Sequence, residues 1–391
     1  MDRRDFMRTV AGYGVGAAWL LSGAGRVLAQ GSPAAGPPAT GKPGARPPDL
    51  VAVLGGEPAA LFDAGIAALG GMKAFVRPGQ SVVIKPNVGW DQPPEVAANT
   101  NPALVARIVE HCLDAGARKV YVFDNSCDAW TLCYRSSMIE RYVKEAGGEM
   151  VPANSSGYFQ EVVFPGAKAV KKALVHELVV ESDVYINVPV LKNHSGAGMT
   201  AAMKNLMGTV WDRQFFHRND LDQCIADACL FRKPTLNVID AYKVMKTGGP
   251  RGYSSSVYDV AKFQILSTDI VAADAAAART LGFDPSRFRY IGLAAERGSG
   301  RADLSRCSLW REPRSCSPES PGSSPSASPG RLRAWPPSSR RPPSSAGSTA
   351  PRSARSAWHR TLPSPRASGS GRGTADSGAA GRRSGRRFSP R

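Results

Sequence analysis

The sequence predicts an α/β fold: a mostly parallel sheet flanked by helices on both faces, in three layers. Between residues 49 and 305, apolar runs rich in strand-forming residues alternate with segments of helical periodicity. Strands that alternate with helices are typical of parallel pairing through crossover connections. The apolar run Tyr185–Leu191 also stops abruptly at Lys192, Asn193 and His194, as expected of a buried strand that reaches the edge of a sheet.

Seven apolar runs are predicted as strands. Each is short, rich in residues that favour strands, and bounded by polar, Gly or Pro residues. Most of them are followed directly by a polar side chain, which matters for the predicted site. The predicted strands are Asp49–Leu54, Ser81–Ile84, Lys119–Phe123, Glu149–Pro152, Val184–Leu191, Leu236–Ile239 and Phe263–Ser267.

Five segments between these runs are predicted as helices. The clearest is Pro102–Ala115, because its apolar residues recur at helical spacing and Gly116 follows its end. The segment Ile270–Leu281 is rich in alanine, the strongest helix former. The predicted helices are Phe62–Ala74, Pro102–Ala115, Ser137–Ala146, Leu221–Cys229 and Ile270–Leu281.

Residues 1–29 are predicted to be a twin-arginine signal peptide. Arg3 and Arg4 precede an apolar, glycine-rich stretch, and the residues from Val27 to Ala29 fit a cleavage site of small side chains. The alternatives are an ordinary secretory signal and a membrane anchor. The stretch is too short and too rich in glycine for a stable membrane span, so the sequence favours export to the periplasm.

The segments that flank the predicted domain have compositions that cannot form a core. Residues 30–48 are rich in Gly, Pro and Ala and are predicted to be a flexible linker. Residues 306–391 contain 17 Arg, no Lys and three acidic residues, which gives this tail a net charge of +14 out of +18 for the chain. We therefore expect the tail to be disordered.

The tail has two interpretations. One is a basic arm that binds nucleic acid or a membrane surface. The other, which we favour, is a frameshift product, because the composition changes abruptly near Ser305 and the tail lacks Ile, Val, Asn, Gln, Tyr and Met. Resequencing of the gene tests this hypothesis. If the tail is a frameshift product, nucleic acid is not an expected partner of the protein.

Polar side chains follow five of the predicted strands. In open parallel sheets, ligands bind outside the carboxyl ends of the strands, so we expect these side chains to line one crevice. The alternative is that each strand end is polar only because it reaches solvent. The strand-end residues are Lys85 and Asn87, Asp124 and Asn125, Lys192 to His194, Asp240, and Asp269.

Three of these residues are predicted to carry chemistry. His194 is the candidate for proton transfer, with Lys192 and Asp124 beside it. The alternative for His194 is a turn histidine that is hydrogen-bonded to the backbone. Asp240 and Asp269 are predicted to hold a divalent cation, which would bridge to an anionic ligand.

The remaining predicted site residues would bind the ligand. Lysines suit a phosphate or a carboxylate, and the glycine-rich loop 248–252 permits close backbone approach, although an ordinary turn explains it equally. No G-x-x-x-x-G-K-[ST] motif is present, so the sequence does not support a nucleoside triphosphate site. The predicted ligand-binding residues are Lys85, Asn87, Asn193, Lys204, Asn205, Gly249 and Gly252.

The cysteines of the predicted domain have irregular spacing and form no C-x-x-C pair. Cys127 and Cys133 share the loop after Asp124. One interpretation is a disulfide between these two, which suits an exported protein. The other is an iron–sulfur or other metal site that uses Cys127, Cys133 and Cys224. The spacing leaves both open.

Five sequence blocks carry a family resemblance: Lys85–Val88 (KPNV), Thr100–Pro102 (TNP), Leu191–Gly208, Asn237–Gly252 and Ser267–Phe283. Together they resemble the bacterial and archaeal family known as domain of unknown function 362, in order along most of the predicted domain. The resemblance implies an α/β domain and a redox setting, because members are often associated with iron–sulfur proteins. It supplies no reaction. This chain departs from many members in lacking a ferredoxin-type cysteine motif.

These observations predict an exported α/β protein that binds an anionic or metal-bridged ligand at the carboxyl ends of its strands. The predicted setting is iron–sulfur or redox chemistry, with an iron–sulfur cluster or a divalent metal as the candidate cofactor. The expected partners are a small anionic ligand and a redox protein. The alternative is a non-catalytic ligand-binding or maturation factor for that redox partner.

Overall fold

The computed structural model describes residues 48–306 and 309–310. The predicted signal peptide and nearly all of the predicted linker and tail lie outside these residues. No helix of the described part of the chain is long and apolar enough to cross a membrane.

The described residues form an eleven-stranded sheet and a separate two-stranded sheet. The strands, in chain order, are β1 (Leu50–Leu54), β2 (Ser81–Pro86), β3 (Lys119–Val122), β4 (Glu149–Met150), β5 (Phe159–Val163), β6 (Lys172–His176), β7 (Val184–Val188), β8 (Val190–His194), β9 (Gly198–Thr200), β10 (Leu236–Met245), β11 (Tyr258–Asp259), β12 (Phe263–Ser267) and β13 (Leu309–Trp310).

The large sheet has a parallel half and an antiparallel half. Its order is β13-β1-β12-β10-β7-β2-β3-β4, with β8 beside β10, β9 beside β8, and β11 also paired to β10. Neighbours from β10 to β4 are parallel, as is β8 with β10. In contrast, β12 runs antiparallel to both β10 and β1. The parallel half therefore brings the carboxyl ends of β2, β3, β7 and β8 to one edge.

Ten α-helices occur in the described residues. They cover both faces of the large sheet. In chain order they are α1 (Pro58–Ala68), α2 (Pro102–Asp114), α3 (Trp130–Ser136), α4 (Ile139–Glu145), α5 (Glu177–Glu181), α6 (Ala202–Asn205), α7 (Gln214–Arg218), α8 (Leu221–Ala228), α9 (Ile270–Thr280) and α10 (Arg289–Glu296).

Alternate residues of the strands enter two separate hydrophobic cores. On β2, Val82 and Ile84 pack in the core that contains apolar residues of α1, α2, α3 and α4. Val83, between them, packs in the core that contains residues of α6, α8, α9 and α10. Alternation follows from the pleat, because successive side chains of a strand point to opposite faces. The predicted three-layer α/β class is confirmed.

The structure differs from the predicted elements in three places that affect the site. The run Val184–Leu191 is two strands, β7 and β8, because Pro189 separates them and cannot donate to a ladder. The strand after Leu236 continues to Met245 instead of ending at Ile239. The sheet is mostly parallel, as predicted, but β12 runs antiparallel to both of its neighbours, β1 and β10.

Candidate active site at the carboxyl ends of the parallel strands

A cavity of about 430 Å³ lies at the carboxyl ends of β2, β3 and β8. Strand ends, the loop after β3 and the helix α6 supply its walls. The lining residues include Lys85, Asn87, Trp90, Asp124, Asn125, Cys127, Lys192, His194, Thr200, Lys204, Asn205, Gly208, Arg213, Gln214 and His217. The structure therefore brings together nine of the predicted site residues: Lys85, Asn87, Asp124, Asn125, Cys127, Lys192, His194, Lys204 and Asn205.

An ion pair forms the floor of the cavity. Lys85 Nζ lies 2.8 Å from Asp124 Oδ1, and both side chains are almost completely buried. The same ammonium donates to Asn205 Oδ1 at 2.7 Å, and Asp124 Oδ2 accepts from the backbone N–H of Val88 at 2.7 Å. Burial lowers the pKa of Lys85, and the neighbouring Asp124 carboxylate partly offsets this. Both charges of this pair are thus compensated, which offsets the cost of burying them.

Gly208 makes room for this ion pair. A Cβ atom at position 208 would lie 2.1 Å from Asp124 Oδ1 and 2.5 Å from Lys85 Nζ. Any other residue at this position collides with two buried charges. The glycine in the predicted block Leu191–Gly208 is therefore required by packing, not by an unusual backbone angle.

Lys192 and Lys204 are buried cations without an acidic partner. Their exposed fractions are 1% and 8%, and within the described residues neither forms an ion pair with a carboxylate. Lys192 donates to the carbonyl oxygen of Ala98. Burial lowers the pKa of Lys192 to about 7 and that of Lys204 to about 8, because an ammonium that leaves water is disfavoured.

His194 is held by the backbone of the turn that follows it. Its Nδ1 accepts hydrogen bonds from the N–H groups of Gly196 at 3.0 Å and Ala197 at 3.1 Å. Nδ1 therefore carries no proton, and the neutral ring presents Nε2–H. Burial, helped by the nearby Lys204, lowers the pKa of His194 to about 2. This arrangement matches the turn interpretation, and it suits a hydrogen-bond donor better than a general base.

Three cavity residues of note were not predicted. Arg213 donates to Cys127 Sγ at 2.8 Å and to the carbonyl oxygen of Ser126 at 2.6 Å. His217 stacks near His194, with ring centroids 6.2 Å apart. Thr200 lies on β9, opposite Lys192. Arg213 and His217 do not follow a strand, so the strand-end rule does not predict them.

Three predicted ligand-binding residues do not line the cavity. Asn193 lies between Lys192 and His194 on β8, so its side chain points to the other face of the strand. A Cβ on Gly249 would lie 1.8 Å from the carbonyl oxygen of Asn193, and one on Gly252 would lie 2.6 Å from Val96. These glycines permit close packing of the loop, as the turn interpretation expected.

The two aspartates predicted to hold a cation lie outside the cavity. Asp240 is inside β10, where its carboxylate accepts from the N–H groups of Asn101 at 2.8 Å and Tyr242 at 3.1 Å. Burial raises its pKa to about 6. Asp269 caps α9 by accepting from Val271 and Ala272, both at 2.9 Å. Because β12 is antiparallel to β10, Asp269 emerges at the opposite edge of the sheet.

The described cysteines do not form the predicted disulfide or cluster. Cys127 and Cys133 are both free thiols, the first exposed and the second buried. Cys133 packs in the core that contains α1, whereas Cys224 packs in the core on the other face of the sheet. No group of three or more His, Cys, Asp or Glu side chains in the described residues could hold a metal ion. The donors present therefore do not fit an iron–sulfur cluster.

Comparisons with known proteins identify a family and a curated relative. A family model described as domain of unknown function (DUF362) matches residues 82–279, a range that contains every residue lining the cavity. A thylakoid-associated protein of Synechocystis sp. is 26% identical, with 54% of this chain and 70% of the relative covered.

Two solved structures are similar at low identity. The lactate racemase apoprotein of Thermoanaerobacterium thermosaccharolyticum has a TM-score of 0.34 and 12% identity, with 54% of each chain covered. A Thermotoga maritima protein has a TM-score of 0.33 and 10% identity, with 62% of this chain and 60% of its own covered. The chain thus spans little more than half the length of each.

Proposed function

The chain belongs to the family described as domain of unknown function (DUF362), and we propose that its strand-end cavity binds a small, multiply charged anion. The ligand class is a compound that carries phosphate or carboxylate groups. The family membership supplies no reaction, so the proposal depends on the charges that line the cavity.

The observation that carries the proposal is the burial of Lys192 and Lys204 without an acidic partner. Four cationic side chains line the cavity, with Lys85 and Arg213 as the other two, against the single carboxylate of Asp124. Burying an unpaired ammonium is costly. A bound anion offsets that cost by supplying the missing negative charge, which is how cationic sites select phosphate and carboxylate groups.

A bare anion fits these charges better than a cation-bridged one. The bridged ligand required Asp240 and Asp269 to hold the cation, and neither of them lines the cavity. Asp124 is already paired with Lys85. The lysines, the Nε2–H of His194 and the amide of Asn87 are instead available to donate hydrogen bonds. Asn87 lines the cavity, and its Oδ1 is buried without a hydrogen-bond partner in the described residues.

The cellular setting of the proposal comes from the sequence. Residues 1–29 favour export through the twin-arginine pathway, and the family resemblance favours a redox partner protein. We therefore propose that the protein is exported, binds a small anion and works with a redox partner protein.

Isothermal titration calorimetry of the full chain with phosphate, pyrophosphate and citrate tests the proposal. We expect saturable binding of at least one of these anions. Lys204→Met should weaken it about tenfold or more, since a hydrogen bond to a charged group contributes roughly 1.5–3 kcal/mol. Lys172→Met is the matched control, because Lys172 is exposed and pairs with Glu161. Absence of saturable binding by all three anions would overturn the proposal.

Turnover assays on the anions that bind then separate the two classes of function. Conversion of a bound anion to product identifies an enzyme. Tight binding without product identifies the ligand-binding or maturation factor.

A further inference from the structure

Cys127 is a thiol that opens into the anion cavity. It is the exposed cysteine among the five of the described residues; Cys112, Cys133, Cys224 and Cys229 are buried. Its backbone N–H donates to the carbonyl oxygen of Gly89 at 2.8 Å, which fixes the loop that carries it. Cys127 also lines the cavity, so a bound ligand can contact its sulfur.

Arg213 holds the sulfur in place. One guanidinium nitrogen donates to Cys127 Sγ at 2.8 Å, and the other donates to the adjacent Ser126 carbonyl oxygen at 2.6 Å. The guanidinium is planar and rigid, so two hydrogen bonds from it orient the loop. A permanent positive charge beside the sulfur is also the setting in which thiols act as nucleophiles.

A second observation points to a ligand beside this thiol. Lys204 is more than nine-tenths buried, lines the same cavity and has no hydrogen-bond or ion-pair partner within the described residues. Cys127, Lys192 and Lys204 all line this cavity, so the thiol and both lysines can contact one ligand.

We propose that Cys127 is a nucleophile that forms a covalent bond with a small anion bearing an electrophilic carbon. This inference rests on the proposed anion binding: Lys192 and Lys204 hold the anionic group of the ligand, and Arg213 positions the sulfur.

The covalent step balances without any redox partner. The thiol first gives its proton to solvent. The electron pair of the thiolate then forms the new sulfur–carbon bond, and the bond between that carbon and its leaving group breaks. The leaving group departs with the bonding electrons as an anion, for example a phosphate, a carboxylate or a halide.

Paired alkylating agents test this inference on the full-length protein. Iodoacetate carries a carboxylate, whereas iodoacetamide is its neutral analogue; each loses iodide when a thiolate attacks. Peptide mapping by mass spectrometry gives the rate at each cysteine. We expect the ratio of the iodoacetate rate to the iodoacetamide rate at Cys127 to exceed that of glutathione by about tenfold or more, because a cationic cleft concentrates anions. An equal ratio, or an unreactive Cys127 in the folded protein, overturns the inference.

Variants and competition locate the effect in the cavity. Lys204→Met and Arg213→Met should each lower the ratio toward the glutathione value, while Lys172→Met should leave it unchanged. If a cavity variant fails to fold, protection of the unsubstituted protein by the anion found in calorimetry provides the same test. Normal anion binding without selective or protected alkylation overturns the covalent role alone. Loss of both overturns the anion-binding proposal as well.

Discussion

The carboxylate of Asp274 accepts a hydrogen bond at 2.6 Å from the backbone N–H of Ala202, the first residue of α6. Asp274 lies on α9 and is fully buried, and burial raises its pKa to about 7. The same short helix carries Lys204 and Asn205 into the cavity. A carboxylate from across the core therefore anchors the segment that supplies two of the candidate ligand-binding side chains.

Removal of this carboxylate should damage both the fold and the cavity. Asp274→Ala leaves buried N–H groups without an acceptor, so we expect a loss of about 1–3 kcal/mol in the free energy of unfolding and weaker anion binding. Asp274→Asn is the matched control, because its amide oxygen can still accept from Ala202. Urea unfolding of the three proteins measures the difference. If the alanine variant is as stable as the asparagine variant, the anchor has no energetic role.

Gly208 provides a second test, because its missing side chain accommodates the pair Lys85–Asp124. Gly208→Ala places a methyl group 2.1 Å from Asp124 Oδ1, and disruption of a buried ion pair costs roughly 3–5 kcal/mol. We expect a large drop in melting temperature and loss of anion binding. Gly292→Ala on α10 is the control, since a Cβ there meets no atom within 4 Å. Equal effects of the two substitutions would contradict this reading of the cavity floor.

The strand-end rule predicted much of the cavity, and it failed where strand direction was misjudged. Lys85, Asp124, Lys192 and His194 come together because β2, β3 and β8 belong to the parallel half of the sheet. Apolar composition does not distinguish parallel from antiparallel pairing, so Asp269 was expected at the wrong edge. Direction depends on tertiary packing, which the local sequence does not encode.

Two further differences between sequence and structure also depend on contacts that are distant in sequence. Asp240 interrupts an apolar run, which predicts a strand end. It lies instead inside a longer strand, where its carboxylate accepts hydrogen bonds from two backbone N–H groups. Arg213 was missed because it lies in a loop with no motif, and only the folded chain places it beside Cys127. Residues that depend on contacts distant in sequence were thus the hardest to predict.

His194 should remain neutral across the physiological pH range. Its Nδ1 accepts hydrogen bonds from two backbone N–H groups, and burial lowers its pKa to about 2. Nitrogen-15 NMR of the ring should show the tautomer with the proton on Nε2 and no titration between pH 5 and 8. His217, which is less buried, is the internal comparison. Titration of His194 near its usual pKa would restore it as the candidate for proton transfer.

The lysines should make both stability and anion binding depend on pH above neutrality. The pKa of Lys192 is lowered to about 7 and that of Lys204 to about 8 in the folded protein, whereas an unfolded lysine titrates near pH 10.4. At pH values between the folded-state and unfolded-state pKa of each lysine, the unfolded chain binds more protons than the folded chain. The free energy of unfolding should therefore rise with pH in this window, by at most about 1.4 kcal/mol per pH unit for each lysine.

Anion binding should follow the opposite course, because it requires the charged ammonium groups. With citrate, whose carboxyl groups are already ionised at pH 7, we expect affinity to fall as pH rises from 7 to 9 and proton uptake to accompany binding. Calorimetry in buffers of different ionisation enthalpy measures that uptake. Lys204→Met should reduce both the rise in unfolding free energy and the proton uptake, whereas Lys172→Met should preserve them. Affinity that is unchanged across this range would mean that the two buried lysines do not contact the anion.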